Sequence, residues 1–136
     1  MKYSIFETEI IIRPDDIDMN NHVHNSKYLD YVQAARFIQM RDCYKMTMEE
    51  FHSLGFNWFA SAANIEFKRA LKLGDKIAVR TQVKEVSGAQ VIVNFWIVKK
   101  DNDKIAAEGY FIYTMVSLNN ARPVRIPDEI IKRYSV

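Results

Sequence analysis

Cysteine is almost missing from this chain. The single residue, Cys43, has nothing inside the molecule to pair with, which excludes an internal disulfide and points to a reducing compartment. Long hydrophobic runs are missing as well. Nothing approaches the ~20 consecutive apolar residues that span a bilayer, and the opening MKYSIFETE has no signal-peptide core. No membrane partner is expected, and the cytoplasm is the expected location. There is no excess of one charge: Lys and Arg together number 19 against 17 Asp and Glu, for a formal net charge of +2. The basic patch of a nucleic-acid binder is therefore not in view, and no nucleic-acid partner is expected. Repeats, low-complexity tracts and linkers are absent too. What remains is 136 residues, 49% hydrophobic and 26% charged, enough for one core and too few for two. Residues 1–136 are expected to form a single domain.

One stretch stands out against this plain background: Arg13 to Arg36, RPDDIDMNNHVHNSKYLDYVQAAR. Between Asp15 and Asn25 it holds three carboxylates, three asparagines and two histidines. Its second half becomes an amphipathic helix without a break. A polar loop entering a helix sets reactive side chains beside helix N-terminal amides, which favour developing negative charge.

The other elements follow from periodicity. Tyr3 to Arg13 reads as a strand with Phe6, Thr8, Ile10 and Ile12 on its more apolar face, ended by Pro14. Asn25 or Ser26 is expected to cap a helix of about 18 residues, roughly 27 Å long. Its apolar arc is wide (Tyr28, Leu29, Val32, Ala35, Phe37 and Met40, broadened by Tyr31, Ala34 and Ile38), which predicts a helix surrounded by other elements. Thr47 and Glu50 fit a capping box opening a short second helix that Gly55 ends. Then come strands at Trp58 to Arg69, Ile77 to Val83, Val91 to Ile97 and Ile105 to Leu118, expected as a meander. Pro127 opens a small terminal helix. The order predicts an α+β fold: one antiparallel sheet of about five strands wrapped around one long helix, with open edges that favour self-association.

At this point the chain resembles a known family. Asp16-Ile17-Asp18, His22-Val23-His24-Asn25 and Tyr28 are similar to the D-x-D, H-V-N-N and tyrosine pattern of hotdog-fold thioesterases, the 4-hydroxybenzoyl-CoA thioesterase-like group and its acyl-ACP relatives. The run Ile65 to Arg69 before Gly74-Asp75 resembles that family's second strand and turn. The resemblance implies the hotdog fold and hydrolysis of an acyl-CoA or acyl-ACP thioester. It implies a homodimer with sites at its interface, often built into a homotetramer, and no cofactor beyond the coenzyme A or phosphopantetheine of the substrate. By the same resemblance Asp18 is the catalytic carboxylate, and Asp18, Asn20 and His22 reproduce the D-x-N-x-H set of the acyl-ACP enzymes. The glutamate those enzymes use downstream falls at Ala70 here, and His24 stands where asparagine is usual.

The expected chemistry is carboxylate-assisted attack on the thioester, with Asp18 as nucleophile or as base for water. Backbone N–H groups at His24, Asn25 and Ser26 are the candidate carbonyl polarisers. Asn20 is placed to orient the carboxylate or water, and His22 to shuttle a proton or tie the loop together. For Asp18 itself the plainer role is an Asx turn. His22, His24, Asp16 and Asp18 have a spacing that a metal site could use, but H-x-H alone is weak and no metal is expected. Tyr28 is expected to pack with its hydroxyl satisfied, and stands with Lys68, Arg69 and Lys72 as the candidate substrate-binding residues. That basic cluster suits coenzyme A phosphates or an acidic carrier protein, and equally an ordinary charged strand end. Arg36 is expected to pair with a carboxylate, Asp30 is the alternative catalytic acid, and Cys43 near the helix end is unsuited to nucleophilic work. Two other readings are a non-catalytic acyl-binding or scaffold hotdog protein and a hotdog hydratase or dehydratase.

Overall fold

The computed structural model describes residues 3–134. The elements run β1 (Ile5–Ile10), a 3-10 turn (Pro14–Asp16), α1 (Asn25–Asp42), α2 (Met48–Ser53), β2 (Phe56–Phe67), β3 (Ile77–Ser87), β4 (Gln90–Lys99), β5 (Lys104–Ser117) and α3 (Asp128–Tyr134). Alternation does what it should in the sheet. Val91, Val93, Phe95 and Ile97 of β4 are buried beneath α1, as are Ile77, Val79, Thr81 and Val83 of β3. In β1 the Phe6, Thr8 and Ile10 face is the less exposed one. No helix among the described residues is long and apolar enough to cross a membrane.

The five strands form one antiparallel sheet in the order β1-β3-β4-β5-β2. This corrects the expected four-strand meander. Only β3, β4 and β5 are neighbours in sequence; β2 lies at the far edge against β5. Residues 68–76 carry the chain back across, and they are pinned where they pass the start of α1. The fully buried Leu71 donates its N–H to the Tyr28 hydroxyl at 3.2 Å, and its carbonyl accepts the Val23 N–H at 2.7 Å. The β2–β5 seam is close-set at Gly109, where a Cβ would lie 1.9 Å from the Asn64 carbonyl oxygen, so only glycine fits.

The central helix is half covered. Tyr28, Tyr31, Val32, Ala35, Arg36, Gln39 and Met40 are buried, while Asp30, Gln33, Ala34, Phe37 and Arg41 face outward. The expectation of a helix surrounded on all sides is thus corrected within one chain, with Phe37 at 53% exposure the clearest departure. Gln39, fully buried, holds α1 to the sheet by hydrogen bonds with Thr8 and Thr81. Thr47 caps α2, accepting the Glu50 N–H at 3.2 Å, and Gly55 at φ +87° ends it.

Candidate active site

The polar loop is built on its own backbone. Ile17 and Val23 form an isolated antiparallel bridge that closes it. Inside that bridge Asp18 N–H donates to the His22 carbonyl at 2.8 Å, and Asn21, at φ +62°, donates to the Asp18 carbonyl at 3.1 Å. Below the bridge Asp16 anchors the loop to the helix. Its Oδ2 accepts the Tyr31 hydroxyl at 2.7 Å and the Arg13 N–H at 3.0 Å, and its carbonyl accepts the His24 N–H at 2.8 Å. Burial works to raise the Asp16 pKa, but the Tyr31 hydroxyl and the Arg13 amide outweigh it and hold the carboxyl below its ordinary range. Burial first, then the Asp16 contact, pushes Tyr31 well above a normal phenol.

Asp18 has a divided carboxylate. Oδ1 accepts the Asn20 N–H at 2.9 Å and the His22 N–H at 3.2 Å, which is the turn-stabilising role expected of such a residue. Oδ2 has no hydrogen-bond partner among the described residues and is left for other work. Asp18 is half-buried and lines a cavity of about 260 Å³ together with His22, Asn25, Tyr28, Lys68 and Arg69. Ala70 lines it too, so a methyl group occupies the place where the acyl-ACP pattern has its glutamate. Asn20, Ser26, His24 and Lys72 do not line the cavity. Nor does Asp30, the alternative acid, which is exposed on the outer face of α1.

The helix start differs from expectation by one residue. His24 is the N-cap, its Nδ1 accepting the Ser26 N–H at 3.1 Å, and Asn25 is already helical. The imidazole thus does the work sequence reasoning assigned to Asn25 or Ser26. It also sorts the three candidate amides. The His24 N–H is spent on Asp16 and the Ser26 N–H on the cap. Asn25, at the first helical position and lining the cavity, has no hydrogen-bond partner for its N–H among the described residues. The signal for this was present, since histidine can accept a hydrogen bond as Asn and Asp do, but its ring is not among the usual caps.

The basic cluster is partly committed. Lys68 Nζ lies 3.2 Å from Glu66 and 3.8 Å from Glu108, and Arg69 Nη1 donates to the Ile105 carbonyl at 2.6 Å. The Lys72 backbone N–H donates to Asp75 at 2.8 Å, leaving its ammonium in solvent. Tyr28 is buried, edge-on to Phe67 with centroids 5.0 Å apart, and its hydroxyl is satisfied by the Leu71 amide. Burial raises its pKa above that of a free phenol despite that amide. Cys43 caps the far end of α1, where burial and then Asp42 push its thiol up, away from reactivity. Among the described residues no three His, Cys, Asp or Glu side chains converge as a metal site would require.

Arg36 overturns its expectation. It has no carboxylate partner among the described residues; its guanidinium lies over the rings of Tyr44 and Tyr113, 5.5 and 5.6 Å from their centroids. The reason is position: the side of α1 that carries Arg36 packs on an aromatic layer containing no acid. It borders a second and larger cavity, about 360 Å³, that sequence reasoning did not anticipate.

With this geometry in place, known proteins can be set beside it. The long-chain acyl-CoA thioesterase FadM of Escherichia coli is 20% identical over 124 residues, which cover 91% of this chain and 92% of that protein. The acyl-CoA thioesterase YbgC of Haemophilus influenzae is 24% identical over 127 residues, 92% of this chain and 90% of the other. Among solved structures, a DHNA-CoA thioesterase from Staphylococcus aureus superposes with a TM-score of 0.85 at 19% identity, over 99% of this chain and 90% of that one. The model of the thioesterase-like superfamily matches residues 12–134. A match so nearly complete, on a sheet and helix of the hotdog kind, makes this chain a member of the thioesterase-like superfamily.

Proposed function

We propose that the protein is an acyl-CoA thioesterase whose hydrolytic carboxylate is Asp18. The observation that carries the reading is the pairing, at one small cavity, of a half-held carboxylate with an uncommitted helix N-terminal amide. In this mechanism the thioester carbonyl oxygen takes the Asn25 N–H, which along with the helix dipole stabilises the charge that develops there. Asp18 Oδ2 either adds to the carbonyl carbon or removes a proton from the water that does so. The C–S bond then breaks and coenzyme A leaves and takes up a proton; where Oδ2 itself has added, the acyl group stays on Asp18 as a mixed anhydride until water hydrolyses it, and by either route the free carboxylic acid is released. His22, whose ring has no partner among the described residues while its amide holds Asp18, is placed to relay that proton. Asn20 is outside the cavity and acts through its amide on Asp18. No cofactor or metal is called for. Lys68 and Arg69 at the cavity, with Lys72 just outside it, are the cations available to the phosphates of coenzyme A, a substrate class supported by the names of the two relatives in E. coli and H. influenzae.

The active form in this reading is a dimer. Support comes from β2, an edge strand of 12 residues exposed over most of its length, carrying Phe59 at 60% exposure beside the bare outer face of α1. A second copy would cover both and close the Asp18 cavity from outside.

The test is thiol release from a panel of short, long and aromatic acyl-CoA esters by wild type and Asp18→Asn. Asparagine keeps an oxygen for the Asn20 and His22 amides, so the variant should fold. It should lose at least about a hundredfold in kcat. The Asx turn at Oδ1 favours one second reading, an acyl-binding protein whose loop is structural. Equal turnover by the two proteins would sink Asp18 as the hydrolytic carboxylate and turn attention to Asp30. No turnover by either on CoA and carrier-protein thioesters alike would sink the hydrolase reading in favour of the acyl-binding one.

A further inference from the structure

The larger cavity lies at the other end of α1. Arg36 follows Asn25 by eleven positions, about 16 Å along the helix axis, and between the two sites the walls change from polar loop to α2, α3 and the body of the sheet. Met40, Met48, Trp58 and Tyr134 make its lining largely apolar, and no Asp or Glu is among the lining residues. Into this surface is set one permanent charge. Arg36 is only 7% exposed, and its Nε and Nη1 have no hydrogen-bond partner among the described residues.

No acid among the described residues neutralises it. Tyr44, Tyr113 and Tyr134 surround the guanidinium, but burial pushes all three phenols upward, Tyr134 to about 12, so at neutral pH none carries charge. Gln33 lines the cavity, yet its Oε1 is taken by the Tyr113 hydroxyl at 2.6 Å. His52 Nε2 is engaged with Asn57 at 3.2 Å. Burial works against the guanidinium, and the rings and hydroxyls of the three tyrosines offset that cost without supplying a negative charge at neutral pH. The charge is therefore left over for a visitor of opposite sign.

We propose that this cavity is a binding site for an apolar carboxylate, its acid group paired with Arg36 and its carbon body against Met40, Met48 and Trp58. At ~30 Å³ per water-sized group, 360 Å³ holds about a dozen non-hydrogen groups, the size of a ten-carbon acid. Two sources share that chemistry: a free fatty acid, and the far end of an ω-carboxyacyl thioester. Only the second rests on the hydrolase reading. A free acid differs from its thioester in the very charge that Arg36 recognises, so the site distinguishes the two.

Trp58 lies in the cavity wall and supplies the signal. In a Trp96→Phe background its fluorescence is titrated with decanoate and with 1-decanol, for Arg36 and for Arg36→Met. An apolar cavity alone prefers the alcohol. With Arg36 present decanoate should bind at least ~10-fold tighter than decanol, the scale of a charge-assisted pair, and Arg36→Met should reverse the preference. A second arm compares kcat/KM for sebacoyl-CoA and decanoyl-CoA. Decanoate binding without a kinetic preference assigns the site to free acids. A preference for sebacoyl-CoA that Arg36→Met removes assigns it to the substrate's far end. If no thioester is turned over, the binding arm decides alone, so failure of the hydrolase reading stays distinct from failure of this one. If Arg36→Met does not fold, Arg36→Lys replaces it and should keep a weakened acid preference. Decanol binding as tightly as decanoate to the Arg36 protein, a preference that survives in folded Arg36→Met, or binding of neither ligand in the absence of a sebacoyl-CoA preference overturns the proposal.

Discussion

The two ends of α1 hold polar groups in opposite ways. At its start, a dense set of carboxylates, histidines and asparagines lies in a loop whose hydrogen bonds are nearly all internal: Asp16 to Tyr31 and Arg13, His24 to Ser26, Asp18 to Asn20 and His22. Among the described residues that line the Asp18 cavity, what is left over is one Asp18 carboxylate oxygen, the Asn25 amide and the His22 ring. Toward its other end Arg36 sits among aromatics with no carboxylate partner among the described residues, its Nε and Nη1 without a hydrogen bond. Crowding of polar residues is therefore a poor guide to unsatisfied polarity. Short side chains in a loop find backbone partners close by, while a long cation on a helix face meets only what the fold brings against it.

Substitution should separate the ends, and the largest effect is expected at the start. Asp18→Asn should cost at least about a hundredfold in kcat with little change in thermal midpoint, read by thiol release and calorimetry. A matching loss of stability would mean that the loop, not the chemistry, was damaged.

Asp16→Ala should act the other way, on folding. It strands the buried Tyr31 hydroxyl, and denaturant unfolding should register a loss of about 1–3 kcal/mol. The pH dependence has a definite sign. The folded pKa of Asp16 lies below its unfolded value of about 3.9, so its contribution is present above that pH and fades as pH falls through the folded value. The stability gap between wild type and Asp16→Ala should therefore be wider at pH 7 than at pH 2.5, and a constant gap would show that the charge contributes nothing.

At the opposite end, Arg36→Met should leave stability unchanged or raise it by about 1 kcal/mol, because an unpaired buried charge is exchanged for apolar volume. A loss of several kcal/mol would instead mean that the stacked rings satisfy the guanidinium better than its bare Nε and Nη1 suggest. The smallest effect is expected at the cap. His24→Ala should destabilise by about 1 kcal/mol and His24→Asn by much less, since asparagine caps the same Ser26 amide. Similar losses in both would remove the cap from the account.

The dimer bears on both ends, because β2 borders both cavities. Phe59→Asp should shift the sedimentation mass to that of one chain if β2 is the interface; an unchanged mass would place any interface elsewhere.

Much of this was legible in the residues. The alternation of Val91, Val93, Phe95 and Ile97 shows a half-buried strand, Thr47 with Glu50 shows a helix start, and Tyr28, Val32, Ala35 and Met40 show which side of α1 goes inward. These are local properties, fixed by the pleat of a strand and the turn of a helix. The motif residues Asp18, His22 and Asn25 were legible as a cluster for the same reason, being close in sequence. Only the tertiary structure decided that β2 lies beside β5 rather than β3, since alternation tells which face a residue takes and not which strand it adjoins. It decided which of three neighbouring amides stays free, because that depended on the Asp16 carbonyl and the His24 ring accepting the other two. And it decided that Arg36 meets tyrosines and no acid, because the partner of a buried charge is chosen by distant segments packing against it, from Tyr44 to Tyr113 and Tyr134.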